Sequence, residues 1–200
     1  SDVCSSDLAE FGEAAREMGL ALGAADGELV RMWLEFYSRW PGRRVIGFGD
    51  PKDVAVKLLA DSYAVRTLGP AIIAGPAIDL GSGNGWPGLA FASMGRVSLL
   101  DSRQGACDFM RGFVEYAHLT NVDVVEDRAE EAGRETKLAG RYGIAASRAM
   151  ASPAVAVEVA SPFLKAGGAA VLWLGPAQEE AALANPEVLQ VDRKSTRLNS

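Results

Sequence analysis

The chain has 200 residues, 48% of them hydrophobic and 23% charged, and a formal net charge of −6. That suffices for one full core with a small appended piece, and no apolar run reaches the roughly 18–20 residues that a membrane helix needs. Two cysteines without a CxxC pair, Cys4 and Cys107, and a single histidine, His118, argue against a disulfide framework and against a metal site.

The termini stand apart from the rest. Residues 1–8, "SDVCSSDL", and 193–200, "RKSTRLNS", resemble translated sequencing-adapter sequence and are set aside as tails. From Ala9 to Trp40 apolar residues recur at helical spacing in two segments broken by "GAADGE", which predicts a helical hairpin. Its second arm carries Trp33, Phe36, Tyr37 and Trp40 on one stripe, the signature of a buried helix face. Residues 41–53 read as a loop, with Asp50 placed to cap a helix that Pro51 opens and that runs to about Leu68. The N-terminal helical region therefore spans 9–70.

Beyond the Gly and Pro punctuation at 69–76 the pattern changes. Short apolar runs at 77–80, 97–101, 122–126, 142–147 and 169–174 alternate with helical stretches near 86–94, 103–118, 129–138 and 152–164. Runs that are apolar throughout suit strands covered on both faces, so 71–192 reads as an α/β domain, mainly parallel, with helices on both sides. Cys107 is expected as an apolar filler on a helix and His118 near a helix end. A strand "EVLQV" at 187–191 is followed only by adapter-like sequence, so the last edge strand of the sheet is expected to be missing.

The densest local signal is "AIDLGSGNGWPGLAFA", residues 77–92. A glycine-rich loop after a strand, with Pro87 opening a helix, lies where open α/β sheets bind ligands, and its amides are expected to face outward toward an anionic group. A Walker A loop needs Gly-Lys-Ser/Thr at its end, where Trp and Pro stand here, and the third glycine of a dinucleotide fingerprint falls on Trp86. Asp79 followed by Gly81, Gly83 and Gly85 remains, the pattern that resembles the first motif of class I S-adenosylmethionine-dependent methyltransferases. Asp101, closing the next strand, is placed to accept the hydroxyls of an adenosine ribose.

"DLGSGNGWPGLAFA", "LLDS", "NVDVVEDRAEE" and "SRAMASP", with Asp50-Pro51 and Asp61-Ser62 upstream, together resemble the ribosomal RNA small subunit methyltransferase G family. The resemblance implies a Rossmann-like class I methyltransferase fold with an N-terminal helical extension, and a cytoplasmic rRNA-processing enzyme. It implies transfer of the methyl group of S-adenosylmethionine to a guanine N7 of small-subunit ribosomal RNA. It places Gly81, Trp86, Ala129 and Glu130 on the cofactor and Arg148 at the cofactor–substrate boundary. Guanine N7 loses no proton on methylation, so no catalytic general base is named and alignment carries the chemistry.

Several positions that are polar in the family are not polar here. Leu58 stands for a histidine, Val45 to Gly47 for Asn-Leu-Thr, Gly105 and Ala106 for basic residues, and Leu174 for a lysine. The RNA-facing half is thus eroded, and the cations are concentrated only at Arg39, Arg43 and Arg44, then Lys52, Lys57 and Arg66. The expected partner is small-subunit ribosomal RNA or the small ribosomal subunit, met by a monomer without membrane association. A methyltransferase of the same fold acting on a small molecule or protein, and a non-catalytic cofactor-binding paralogue, are the alternatives.

Overall fold

The computed structural model describes residues 2–42, 53–69, 72–148, 152–175 and 179–180, with side chains from residue 6 onward. The Asp50 cap with Pro51, Val45 to Gly47, Arg43, Arg44 and Lys52, the strand at 187–191 and the tail at 193–200 lie outside the described residues. The helical hairpin is present as α1 (Asp2–Glu17) and α2 (Ala24–Arg39). Helix α1 starts within the eight residues set aside as a tail. The Asp26 carboxylate accepts the Gly23 N–H at 2.8 Å, holding the backbone group that precedes α2, and it also takes the Arg66 guanidinium at 2.7 Å.

The helix expected up to Leu68 is not a regular α-helix. A π-helical segment, Val54–Ala60, passes through a short α turn into a 3₁₀ segment, Tyr63–Leu68. Widened turns of this kind recur where a helix carries functional groups.

Five strands follow: β1 (Ala77–Leu80), β2 (Val97–Asp101), β3 (Val122–Glu126), β4 (Tyr142–Arg148) and β5 (Leu164–Trp173). They form one parallel sheet in the order β3-β2-β1-β4-β5. Every residue of β1 and β2 is buried, as runs without alternation require. Between the strands lie α3 (Gln104–Tyr116), α4 (Ala129–Ala132) and α5 (Pro153–Ala160).

Three expected helices are shorter than their sequence pattern. The stretch at 86–94 holds only a 3₁₀ turn, Gly88–Phe91, because the chain there packs flat on Asp79 and Leu99. The stretch at 129–138 ends as a helix at Ala132, where Gly133 passes 3.1 Å from Pro162 as measured from an added Cβ. The last stretch gives way at Ser161 to a 3₁₀ turn, and β5 starts at Leu164 rather than 169.

The core has two parts, one on each face of the sheet. On one face Trp33 of α2, fully buried, meets Phe109 of α3 edge-on at 6.1 Å, with Leu58, Leu59 and Tyr63 packed into the same cluster. The aromatic stripe of α2 is therefore a core face, as expected. On the other face Ile78, Leu80 and Leu100 meet Ala132, Ala160 and Phe163. Because the first cluster joins α1, α2 and the π-helical segment to β1, β2 and α3, the N-terminal helical region is packed directly onto the sheet. Cys107 is wholly buried on α3, and His118 lies just past its end with φ of 51°.

Candidate functional site

The sheet order places β1 and β4 side by side with their connections leaving to opposite sides, the point at which open α/β sheets form a crevice. A cavity of about 470 Å³ opens at the carboxyl ends of the strands, bounded by Gly81, Asp101, Arg103, Ala129, Glu130 and Arg148 among others. Its volume suits a drug-sized or cofactor-sized ligand. The sequence-predicted Gly81, Asp101, Ala129, Glu130 and Arg148 converge on it. Asp79, Gly83, Gly85 and Trp86 do not line it.

The glycine loop turns its amides inward, contrary to the expectation of an outward anion cradle. Gly81 and Ser82 donate their N–H groups to the Leu100 carbonyl at 2.8 and 2.9 Å, and Gly85 and Leu89 donate to Ser82 and Gly85, both at 2.8 Å. The Gly83 amide goes to Asp101, that of Trp86 to the Asn84 side chain, and that of Gly88 to Asp79, each at 2.9 Å. Such geometry needs φ of 72°, 56° and 93° at Gly81, Gly83 and Gly85, values that side-chain-bearing residues rarely adopt. The loop spends these amides inside the fold and so presents bare main chain rather than a nest of converging donors.

Trp86 is 2% exposed, and its ring lies 5.7 Å from that of Tyr63 and edge-on to Trp33 at 6.2 Å. Its indole belongs to the core, so only its main chain stays with the loop. Trp33 does the complementary work by donating its indole N–H to the Asn84 carbonyl at 3.0 Å. This bond pins the loop to α2. The sequence reading missed it, since a buried helical tryptophan carries no signal of its polar partner.

Two carboxylates flank the loop in different states. Asp79 is 1% exposed; one oxygen accepts the Gly88 N–H, and the other, Oδ1, is buried without a hydrogen-bond partner among the described residues. Burial pushes its carboxyl up to about 7, against the downward pull of the Gly88 bond, of the nearby Ser82 hydroxyl, which donates to the Asp79 main-chain carbonyl, and of Arg148. Asp101 is also pushed up by burial, but bonds from the Arg103 side chain and main chain and from the Gly83 amide outweigh this and hold it below the usual carboxylate range.

Arg103 was not foreseen as a site residue. Its Nε and Nη2 reach the two Asp101 oxygens at 3.1 and 3.2 Å, and Nη2 lies 3.2 Å from where a Cβ on Gly83 would stand. The guanidinium therefore straps the gap between the loop and the strand end, over the acceptor expected for a ribose. Its position two residues past the strand-end acid was the available signal.

Arg148, at the end of β4, lies in a denser setting than a surface salt bridge. Burial lowers its guanidinium from the ordinary arginine value, opposed by Asp61 and Asp79. Of the family-polar positions, Leu58 is 2% exposed and Ala106 5%, both in the core, whereas Gly105 is exposed at the start of α3.

A parallel sheet of this order, a glycine loop after β1, an acid ending β2 and a cavity across the strand ends define the Rossmann-like fold of class I methyltransferases. Solved structures agree at the level of fold. A tRNA (m1A58) methyltransferase from Aquifex aeolicus has a TM-score of 0.55 at 16% identity, covering 80% of this chain and 59% of that one. A SAM dependent methyltransferase from Aquifex aeolicus has a TM-score of 0.52 at 15% identity, covering 72% and 86%.

Residues 40–199 match the family model described as rRNA small subunit methyltransferase G, and the chain belongs to that family. The ribosomal RNA small subunit methyltransferase G of Synechococcus elongatus is 40% identical over 139 residues, 68% of this chain. That of Clostridium beijerinckii is 27% identical over 183 residues, 90% of this chain and 77% of the relative. The chain spans 57% of the length of the Synechococcus protein.

Proposed function

We propose that the chain is an S-adenosylmethionine-dependent methyltransferase that methylates a guanine N7 in small-subunit ribosomal RNA, as a cytoplasmic monomer. The observation that carries the cofactor reading is the inward turn of the loop amides. A phosphate-bearing nucleotide needs free N–H donors, which this loop spends on Leu100, Asp101, Asn84 and Asp79. A cofactor with a nucleoside and a zwitterionic, sulfonium-bearing tail needs instead bare main chain and nearby carboxylates. Asp101 supplies the carboxylate on the cavity wall, and Asp79 lies buried beneath the loop, off that wall.

When bound, S-adenosylmethionine supplies a methyl group activated by the positive sulfur. The residues of this chain have binding and alignment to do. Asp101 would accept the ribose hydroxyls once Arg103 yields its place, Gly81 and the main chain of Trp86 would lie along the methionine part, and Ala129 and Glu130 would meet the adenine edge. Arg148 would sit where cofactor and RNA base adjoin. The lone pair of guanine N7 needs no base to expose it, so no acid–base residue is assigned.

Calorimetric titration with S-adenosylmethionine tests the cofactor: heat with one-to-one stoichiometry is expected, and no heat at millimolar ligand removes the enzyme reading. Labelled methyl transfer to unmodified small ribosomal subunits tests the substrate; label confined to other cell fractions would remove the RNA reading.

A further inference from the structure

Arg148 is held from outside the cavity it lines. Its Nη1 donates to the Lys57 carbonyl at 2.7 Å, its Nη2 donates to the Ser62 hydroxyl at 3.0 Å, and the same nitrogen lies 3.0 Å from the Asp61 carboxylate. The guanidinium also lies over the Trp173 ring at 5.6 Å, and the Trp173 indole N–H donates to the Asp61 carbonyl at 2.9 Å. Lys57, Asp61 and Ser62 all come from the π-helical segment and the turn that follows it, whereas Arg148 and Trp173 end β4 and β5. Asp61 is not on the cavity wall; it faces a separate groove beside Trp173.

We propose that Asp61 is a positioning residue for the cofactor cavity, acting through Arg148, so that the N-terminal helical segment sets the cavity's affinity for its nucleoside ligand. The proposal rests on the cofactor reading above. A guanidinium with an 18% exposed side chain must keep its partners or turn toward water. Without the Asp61 carboxylate the acidic group left near it among the described residues is Asp79, which sits beneath the glycine loop and holds a proton up to about pH 7. Loss of Asp61 therefore leaves the guanidinium on neutral acceptors, the Lys57 carbonyl and the Ser62 hydroxyl, and loosens its place on the wall between β1 and β4 while leaving every cavity-lining residue in the sequence.

The test uses S-adenosylhomocysteine as probe in calorimetry on the full chain, with D61N, D61E, R148M and the D61N/R148M pair. D61N keeps the side chain's shape and should bind about tenfold more weakly than the unaltered chain, the loss expected for one charge-assisted bond. D61E should recover most of that loss. In the R148M background D61N should have no further effect, since the residue acts only through the guanidinium. Equal binding by D61N and the unaltered chain, or an undiminished D61N effect in the R148M background, would overturn the positioning role and leave the cofactor reading standing. Absence of binding by the unaltered chain would instead overturn the cofactor reading on which the role depends.

Discussion

Replacing Asp79 by Asn isolates the cost of the buried carboxylate beneath the glycine loop. Asn retains the shape and an oxygen for the Gly88 N–H, and it replaces the titrating oxygen with an amide NH2 that stays neutral at every pH of the assay. In the folded protein the Asp79 carboxyl titrates at about 7, against 3.8 for the exposed group. The folded state therefore keeps a proton that the unfolded chain gives up, so stability is fully present below about pH 4 and declines until the folded carboxyl ionises near pH 7. That displacement corresponds to about 4 kcal/mol at most, of which about 2–3 kcal/mol falls between pH 5 and pH 8. For a chain of this size that is about 5–10 °C in melting temperature. Melting curves recorded from pH 5 to pH 8 should show the unaltered chain losing this much relative to D79N. Parallel curves would refute the reasoning, because they would mean that Asp79 is not desolvated or that its orphaned oxygen has a partner.

Three further outcomes follow from the loop and its supports. In G88A the new Cβ would run into the Leu99 side chain and stand 2.8 Å from the Asp79 Cβ, both on buried strands; overpacking of about 1–3 kcal/mol should lower the melting temperature by about 2–12 °C, and an unchanged value would contradict the flat packing of that turn. In W33F the Asn84 carbonyl loses its indole donor, so stability by urea unfolding should fall by about 1–3 kcal/mol, with S-adenosylhomocysteine binding weakened in the same protein. In R103A the Asp101 carboxylate loses the guanidinium but keeps the main-chain N–H bonds from Gly83 and residue 103; the ion pair is 70% exposed on the arginine side and is worth under about 1 kcal/mol, so calorimetry should show S-adenosylhomocysteine binding up to about fivefold tighter. Weaker binding would make Arg103 a ligand contact rather than a strap.

Much of the fold was legible because the sheet is buried on both faces. "AIDL" and "VSLLD" show no alternation of apolar and polar residues, as strands buried on both faces require, and the acids that interrupt or end them, Asp79 and Asp101, mark the functional edge. Periodicity read the Trp33 stripe correctly as core for the same reason. It overestimated the helices at 86–94 and 129–138, because what ends them is tertiary: the closeness of Gly88 to Leu99 and of Gly133 to Pro162.

In the site, the composition of the loop was legible but not the direction of its amides. That direction depends on the Leu100 carbonyl and the Asp101 carboxylate, which belong to the next strand. Trp86 reads as a loop residue by its neighbours, yet Trp33 and Tyr63, more than twenty positions away, draw its indole into the core. Arg148 was legible through the "SRA" pattern, whereas its partners Lys57, Asp61 and Ser62 were brought to it only by the docking of the N-terminal segment on β4 and β5. Long-range pairing of this kind leaves no local periodicity to read.

The most direct test of the account is methyl transfer from labelled S-adenosylmethionine to small ribosomal subunits that lack their methylated guanines, followed by nucleoside analysis of the RNA. The account predicts label in 7-methylguanosine from the small-subunit RNA and its loss with R148M. Bound cofactor with no label in that RNA would contradict the assignment of ribosomal RNA as the substrate.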